Sequence, residues 1–169
     1  MSLPGKHNGA LSSSESRRMP MLKILLALDW SASGRQTLDF ACDLLVGKDA
    51  DVTILHVIPR HMMYGRVGAP VEFDDLPAER AASRKLLEEC AEYVRTRGLG
   101  PLVNGQLAVG DPADLILTAA TEYAVDLIIT GSHDVNALCR FVVGSTSTKV
   151  ATRAHCPVLV VHPKRAGRA

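Results

Sequence analysis

Between Met21 and Pro163 short apolar runs alternate with longer segments whose apolar residues recur at helical spacing. This alternation is the feature that most constrains the fold. Leu22–Leu28 is apolar except for Lys23, the pattern of a strand buried on both faces. Asp51–Ile58, Val103–Val109, Val125–Thr130 and Pro157–Val161 repeat the theme, with β-branched residues prominent. Strand–helix–strand connections cross over in one hand and lay their strands parallel. The expected architecture is therefore α/β: a single Rossmann-like domain, with a five-stranded parallel sheet and helices on both faces.

The intervening segments carry their own start and stop signals. Ser31 or Ser33 can cap a first helix with Leu38, Cys42 and Leu45 inward, and Gly47 ends it. Pro77 suits the first turn of a long helix to about Arg97, with Leu86, Cys90, Tyr93 and Val94 on one face and Gly98 as its stop. Asp111 caps a third helix to about Tyr123, with Leu115, Ile116, Ala119 and Ala120 inward. Gly144-Ser145-Thr146 opens a fourth, to about Arg153. Pro59–Pro77 reads as a loop, polar and punctuated by Gly and Pro, longer than an ordinary crossover connection.

Composition narrows the class. The 169 residues, 47% apolar and 22% charged, suit one globular core. Residues 1–20 are Gly- and Ser-rich and read as a flexible tail, and 164–169 as a basic one; 21–163 is the expected domain. Lys6, Arg17 and Arg18 against Glu15 leave +2 in the first tail, and Lys164, Arg165 and Arg168 give +3 in the second. The formal net charge of +1 then leaves −4 for the domain. Near-neutrality argues against nucleic acid as the main partner. No apolar run reaches the 18 or so residues of a membrane span, and Met1–Pro20 has no apolar signal region, so the expected location is the cytoplasm. Cys42, Cys90, Cys139 and Cys156 lack CxxC spacing and are expected to be reduced.

Ligands of open parallel sheets bind beyond the carboxyl ends of the strands, where strand order reverses. Three stretches fall there: Asp29-Trp30-Ser31, His56-Val57, and Gly131-Ser132-His133 with Gly144-Ser145-Thr146. Asp29 could accept hydrogen bonds from a ligand, or could serve its own loop as a cap. Val57 offers backbone N–H and C=O groups. Gly131 allows a sharp turn and a close ligand approach. Gly144 followed by hydroxyl residues at a helix start supplies N–H donors and the positive end of the helix dipole, a cradle for phosphate. There is no GxxxxGK[ST] loop, no GxGxxG after the first strand and no HExxH. Neither a general base nor a metal-ligand set assembles from spacing, so efficient catalysis is not expected.

The ordered set of segments resembles the universal stress protein family. It comprises Ile24-Leu25-Leu26-Ala27-Leu28-Asp29-Trp30-Ser31, Leu55-His56-Val57, Gly110-Asp111-Pro112-Ala113, Asp126–His133, Gly144-Ser145-Thr146 and Cys156–Val161. The resemblance spans nearly all of Met21–Val161. It implies a stress-response or regulatory role and, in the family's nucleotide-binding branch, the pattern Gly-x2-Gly-x9-Gly-Ser/Thr with ATP or a related adenine nucleotide as ligand. By that match Asp29 contacts adenosine, Val57 meets adenine through its backbone, and Gly131, His133, Gly144, Ser145 and Thr146 lie around ribose and phosphates. The second glycine of the pattern is Asp134 here. A carboxylate beside phosphates repels them unless a cation such as Mg2+ intervenes. The resemblance also implies a homodimer through the fifth strand, Val158, Leu159, Val160 and Val161. Asp134 and the Pro59–Pro77 loop favour an alternative, a non-nucleotide member acting by dimerisation or by docking an unknown protein.

Overall fold

The computed structural model describes residues 21–59, 62–64, 70–72, 77–99, 102–132 and 144–162. In chain order these form β1 (Leu22–Ala27), α1 (Ala32–Leu45), β2 (Ala50–Pro59), β3 (Met62–Tyr64), β4 (Pro70–Glu72), α2 (Pro77–Thr96), β5 (Val103–Gly110), α3 (Pro112–Glu122), β6 (Leu127–Gly131), α4 (Ser145–Arg153) and β7 (Val158–Val161). The fold is the expected single α/β domain, a Rossmann-like five-stranded parallel sheet flanked by helices, in the order β5-β2-β1-β6-β7. Both expected tails, 1–20 and 164–169, lie outside the described residues.

Side chains alternate across the sheet, and each side packs its own pair of helices. Ile24 and Leu26, with Val52 and Ile54, join the cluster containing Leu38, Cys42 and Leu45 of α1 and Leu87, Ala91 and Val94 of α2. Leu25 and Ala27, with Leu55 and Val57, join Ala113, Ile116, Ala119 and Ala120 of α3 and Val150 of α4. β1 is central, so Ile24, Leu25 and Leu26 are at most 1% exposed. This explains a strand with almost no polar position.

The caps follow the sequence closely. Ser31 Oγ accepts from Gly34 N at 3.1 Å, and Asp111 Oδ1 accepts from Asp114 N at 3.1 Å beside Pro112 at the first helical position. That hydrogen bond, first among several influences, holds the Asp111 carboxyl below its ordinary pKa. Gly110, at φ +152°, occupies backbone space that favours glycine, with Leu115 packed close beside it.

Two expectations change. The buried stripe of α2 is Ser83, Leu87, Ala91 and Val94, whereas Leu86, Cys90 and Tyr93 sit on its flank. The helix is rotated so that Tyr93 Oη can donate to Asp39 Oδ1 of α1 at 2.9 Å, a pairing no local pattern reveals. The Pro59–Pro77 segment holds a short antiparallel ribbon, β3 with β4, in the register Met62↔Glu72 to Tyr64↔Pro70. Strands of three residues are too short to show alternation, and Pro70 stands where proline is tolerated, at the first residue of a strand.

Cys42, Cys90 and Cys156 are free thiols. Burial pushes Cys42 up to about 11. Cys139 lies outside the described residues. Among the described residues no helix is long and apolar enough to cross a membrane.

Candidate functional site

β1 neighbours β2 on one side and β6 on the other, so strand order reverses at β1, and the carboxyl ends of β1 and β6 are where open parallel sheets bind ligands. Asp29 lies just past β1, Val57 is near the end of β2, and Gly131 closes β6. α4 joins the parallel strands β6 and β7 and runs back across the sheet, so its N-terminus at Gly144 faces the same end.

Asp29 is exposed and organised by its neighbour. Its Oδ1 accepts from Ser31 N at 3.2 Å and from Ser31 Oγ at 2.5 Å. Ser31 Oγ itself accepts from Gly34 N, so carboxylate, cap and first helical turn form one chain of hydrogen bonds. A Cβ on Gly34 would collide with the Asp29 carbonyl oxygen. The carboxylate thus orders its own loop and remains at the surface.

Val57 is 9% exposed, yet its backbone has an open side. The ladder between β1 and β2 ends at Ala27↔Leu55, followed by Leu28 N donating to Leu55 O at 3.0 Å. By the two-residue alternation of a strand, the peptide groups of Val57 point the same way as those of Leu55. They therefore point past the end of the β1 ladder.

Gly131 also meets a packing demand from helix α1. A Cβ there would stand 2.8 Å from Thr37 Oγ1 and 3.4 Å from Ser33 Oγ. Helix α1 lies against the end of β6, where Ser33 Oγ donates to Ser132 O at 3.2 Å and Thr37 Oγ1 to Ser33 O at 2.9 Å. Glycine lets the helix approach the strand.

The start of α4 is suited to an anion. Gly144 is its N-cap, at φ −54° and ψ 150°, with no side-chain cap bond. Ser147 Oγ turns back to donate to Gly144 O at 3.0 Å. Ser145 is exposed and Thr146 half-buried, and the first-turn N–H groups of a helix lack intrahelical acceptors. These donors, with Asp29 and the Val57 backbone, fit an adenine nucleotide in chemistry. His133 and Asp134 lie outside the described residues.

Four contacts at this end carry no signal in the local sequence. Trp30 and His56 stack with ring centroids 4.2 Å apart, inclined 31°. Trp30 Nε1 donates to Ser83 Oγ of α2 at 3.3 Å. His56 Nδ1 lies 2.9 Å from Leu28 O; a carbonyl only accepts, so Nδ1 carries the proton. Burial lowers the His56 pKa from its ordinary value. Beside Gly131, Ser132 Oγ and His162 Nδ1 share a hydrogen bond of 2.9 Å. Separations of 53 residues for Trp30–Ser83 and 30 for Ser132–His162 leave no local signal.

Among the described residues no group of His, Cys, Asp or Glu side chains is arranged to hold a metal ion. The family description "Universal stress protein family" matches residues 21–162. Universal stress protein YxiE of Bacillus subtilis is 34% identical over 146 residues, covering 82% of this chain and 97% of that protein. The structure of universal stress protein UspA from Lactobacillus plantarum superposes with a TM-score of 0.70 at 26% identity, over 83% of this chain and 97% of that one. A universal stress protein from Archaeoglobus fulgidus in complex with dAMP shares the fold, with a TM-score of 0.59 at 22% identity, over 84% of this chain and 98% of that one.

Proposed function

The chain belongs to the universal stress protein family, and we propose that it is a stress-response or regulatory protein that binds ATP or a related adenine nucleotide without efficient catalysis. The observation that carries this reading is the N-terminus of α4, which starts at Gly144 without a side-chain cap at the end of the sheet that also presents Asp29 and the Val57 backbone. Adenine would meet the peptide groups of Val57, the ribose would meet Asp29, and the phosphates would meet the N–H groups and hydroxyls of Ser145 and Thr146. The dAMP complex of a relative with the same fold supports an adenine nucleotide as the ligand class. Backbone donors of this kind hold phosphates without orienting an attacking water, which is why binding rather than turnover is proposed.

The functional unit in this reading is a homodimer. Among the described residues β7 is a sheet edge paired only with β6, and Val158, Leu159 and Val160 are half-buried in the single chain. A second copy would satisfy the open edge and cover these side chains.

Asp134, standing at the second glycine of the pattern, favours a second reading: a member that works by dimerisation or by docking a protein partner. Calorimetric titration with ATP, ADP and AMP, with and without Mg2+, separates the two. Binding at about millimolar ligand or below, weakened by Asp29→Ala and tightened by Asp134→Gly, is expected. No heat with any of the three nucleotides, in the wild type and in Asp134→Gly alike, overturns nucleotide binding and leaves the second reading.

A further inference from the structure

At the opposite end of the sheet, at the amino-terminal ends of the strands, lies a cavity of about 220 Å3. Its lining includes Lys23 of β1, Asp51 and Thr53 of β2, Asn104 and Gln106 of β5, and Tyr123 in the turn after α3. The registers Lys23↔Asp51, Thr53↔Asn104 and Leu55↔Gln106 place the five strand residues on one face. Farther along, Leu25, Leu55 and Val57 on that face are covered by α3 in the apolar core. The face thus changes from apolar to polar where the helical cover ends.

The chemistry of the lining is specific. Asp51 Oδ1 is buried and has no hydrogen-bond partner, so the neighbouring Lys23 ammonium does not donate to it. A carboxylate oxygen removed from water without a donor is unfavourable by an amount that a ligand donor would recover. Lys23 supplies the opposite charge one strand away, at the roughly 4.8 Å spacing of neighbouring strands. Its backbone is fixed: Lys23 N donates to Asp126 Oδ2 at 2.9 Å, and Asp126 N donates to Lys23 O at 2.8 Å. The volume is below the range of about 300–1,000 Å3 that holds drug-sized ligands, which points to a small metabolite.

We propose that this cavity binds a small zwitterion of the size of a free α-amino acid. Its ammonium would donate to Asp51 Oδ1 and its carboxylate would accept from Lys23, with Thr53, Asn104 and Gln106 supplying neutral hydrogen bonds and Tyr123 an apolar side. The site is independent of the candidate nucleotide site at the other end of the sheet, so it stands whether or not a nucleotide binds.

The test is titration of the full chain with a panel of L-α-amino acids, followed by calorimetry and thermal unfolding, with methylamine and acetate as single-charge controls. At least one amino acid is expected to bind at about millimolar concentration or below, and each control at least about tenfold more weakly. Asp51→Asn and Lys23→Met are each expected to weaken binding by about tenfold or more. The ligand-free Asp51→Asn protein is expected to unfold at a temperature no lower than the wild type, because its orphaned oxygen serves the ligand and no internal contact. Absence of binding by every amino acid at about 10 mM overturns the proposal. So does affinity unchanged in both variants, or a lowered unfolding temperature in Asp51→Asn with binding intact.

Discussion

Replacing Gly131 by alanine puts a methyl group 2.8 Å from Thr37 Oγ1 and 3.4 Å from Ser33 Oγ. Neither contact is the loose end of a long side chain. Thr37 is 0% exposed, and its hydroxyl is committed to Ser33 O at 2.9 Å. Overpacking of this kind costs about 2 kcal/mol. With a urea dependence of about 2 kcal/mol/M, that moves the unfolding midpoint down by about 1 M. Thr37→Ala alone loses a net hydrogen bond and a buried methyl, again about 2 kcal/mol. The double variant removes the oxygen that the new methyl strikes, so it should lose about 2 kcal/mol rather than the additive value of about 4 kcal/mol. Thr37→Val keeps an atom where the clash occurs and should give no such rescue. Urea unfolding of the four-member cycle measures the coupling. Additivity within about 0.5 kcal/mol would refute the claim that the approach of α1 to β6 is what demands glycine.

Ser31→Ala removes the cap of α1 and should lower stability by about 1 kcal/mol in urea unfolding, while releasing the Asp29 carboxylate and weakening nucleotide binding in the same preparation. His56 is 7% exposed and its folded pKa lies below the ordinary 6.5, so the unfolded chain takes up its proton first. Stability is therefore full above about pH 6.5 and falls as pH drops below it, down to the folded pKa; urea midpoints against pH should show this slope, flattened in His56→Asn. Val160→Lys places a charge on the β7 edge, and sedimentation is expected to show a monomer for this variant and the proposed dimer for the wild type.

Much of the architecture was legible because its causes are local. Ser31, Pro77, Asp111 and Gly144 each act within one helical turn, and the structure begins its helices at or beside them. The run Leu22–Leu28 identifies a central strand because only burial on both faces tolerates so little polarity. Positions at the strand exits were legible for the same reason. Once the order of elements is known, Asp29, Val57, Gly131 and Gly144 must lie at one end of a parallel sheet.

Element order, caps and the end of the sheet that presents the candidate nucleotide groups follow from the order of residues alone, since periodicity and capping are interactions between residues a few positions apart. The remaining features come from long-range packing. It turned α2 so that Tyr93 reaches Asp39, and it stacked Trp30 on His56 and bonded it to Ser83. It added a demand for glycine at Gly131, the close approach of Thr37. It also gathered Lys23, Asp51 and Gln106 from three strands around one cavity at the other end of the sheet. Each of these depends on elements far apart in the chain meeting at van der Waals distance, and close packing leaves no trace in local spacing.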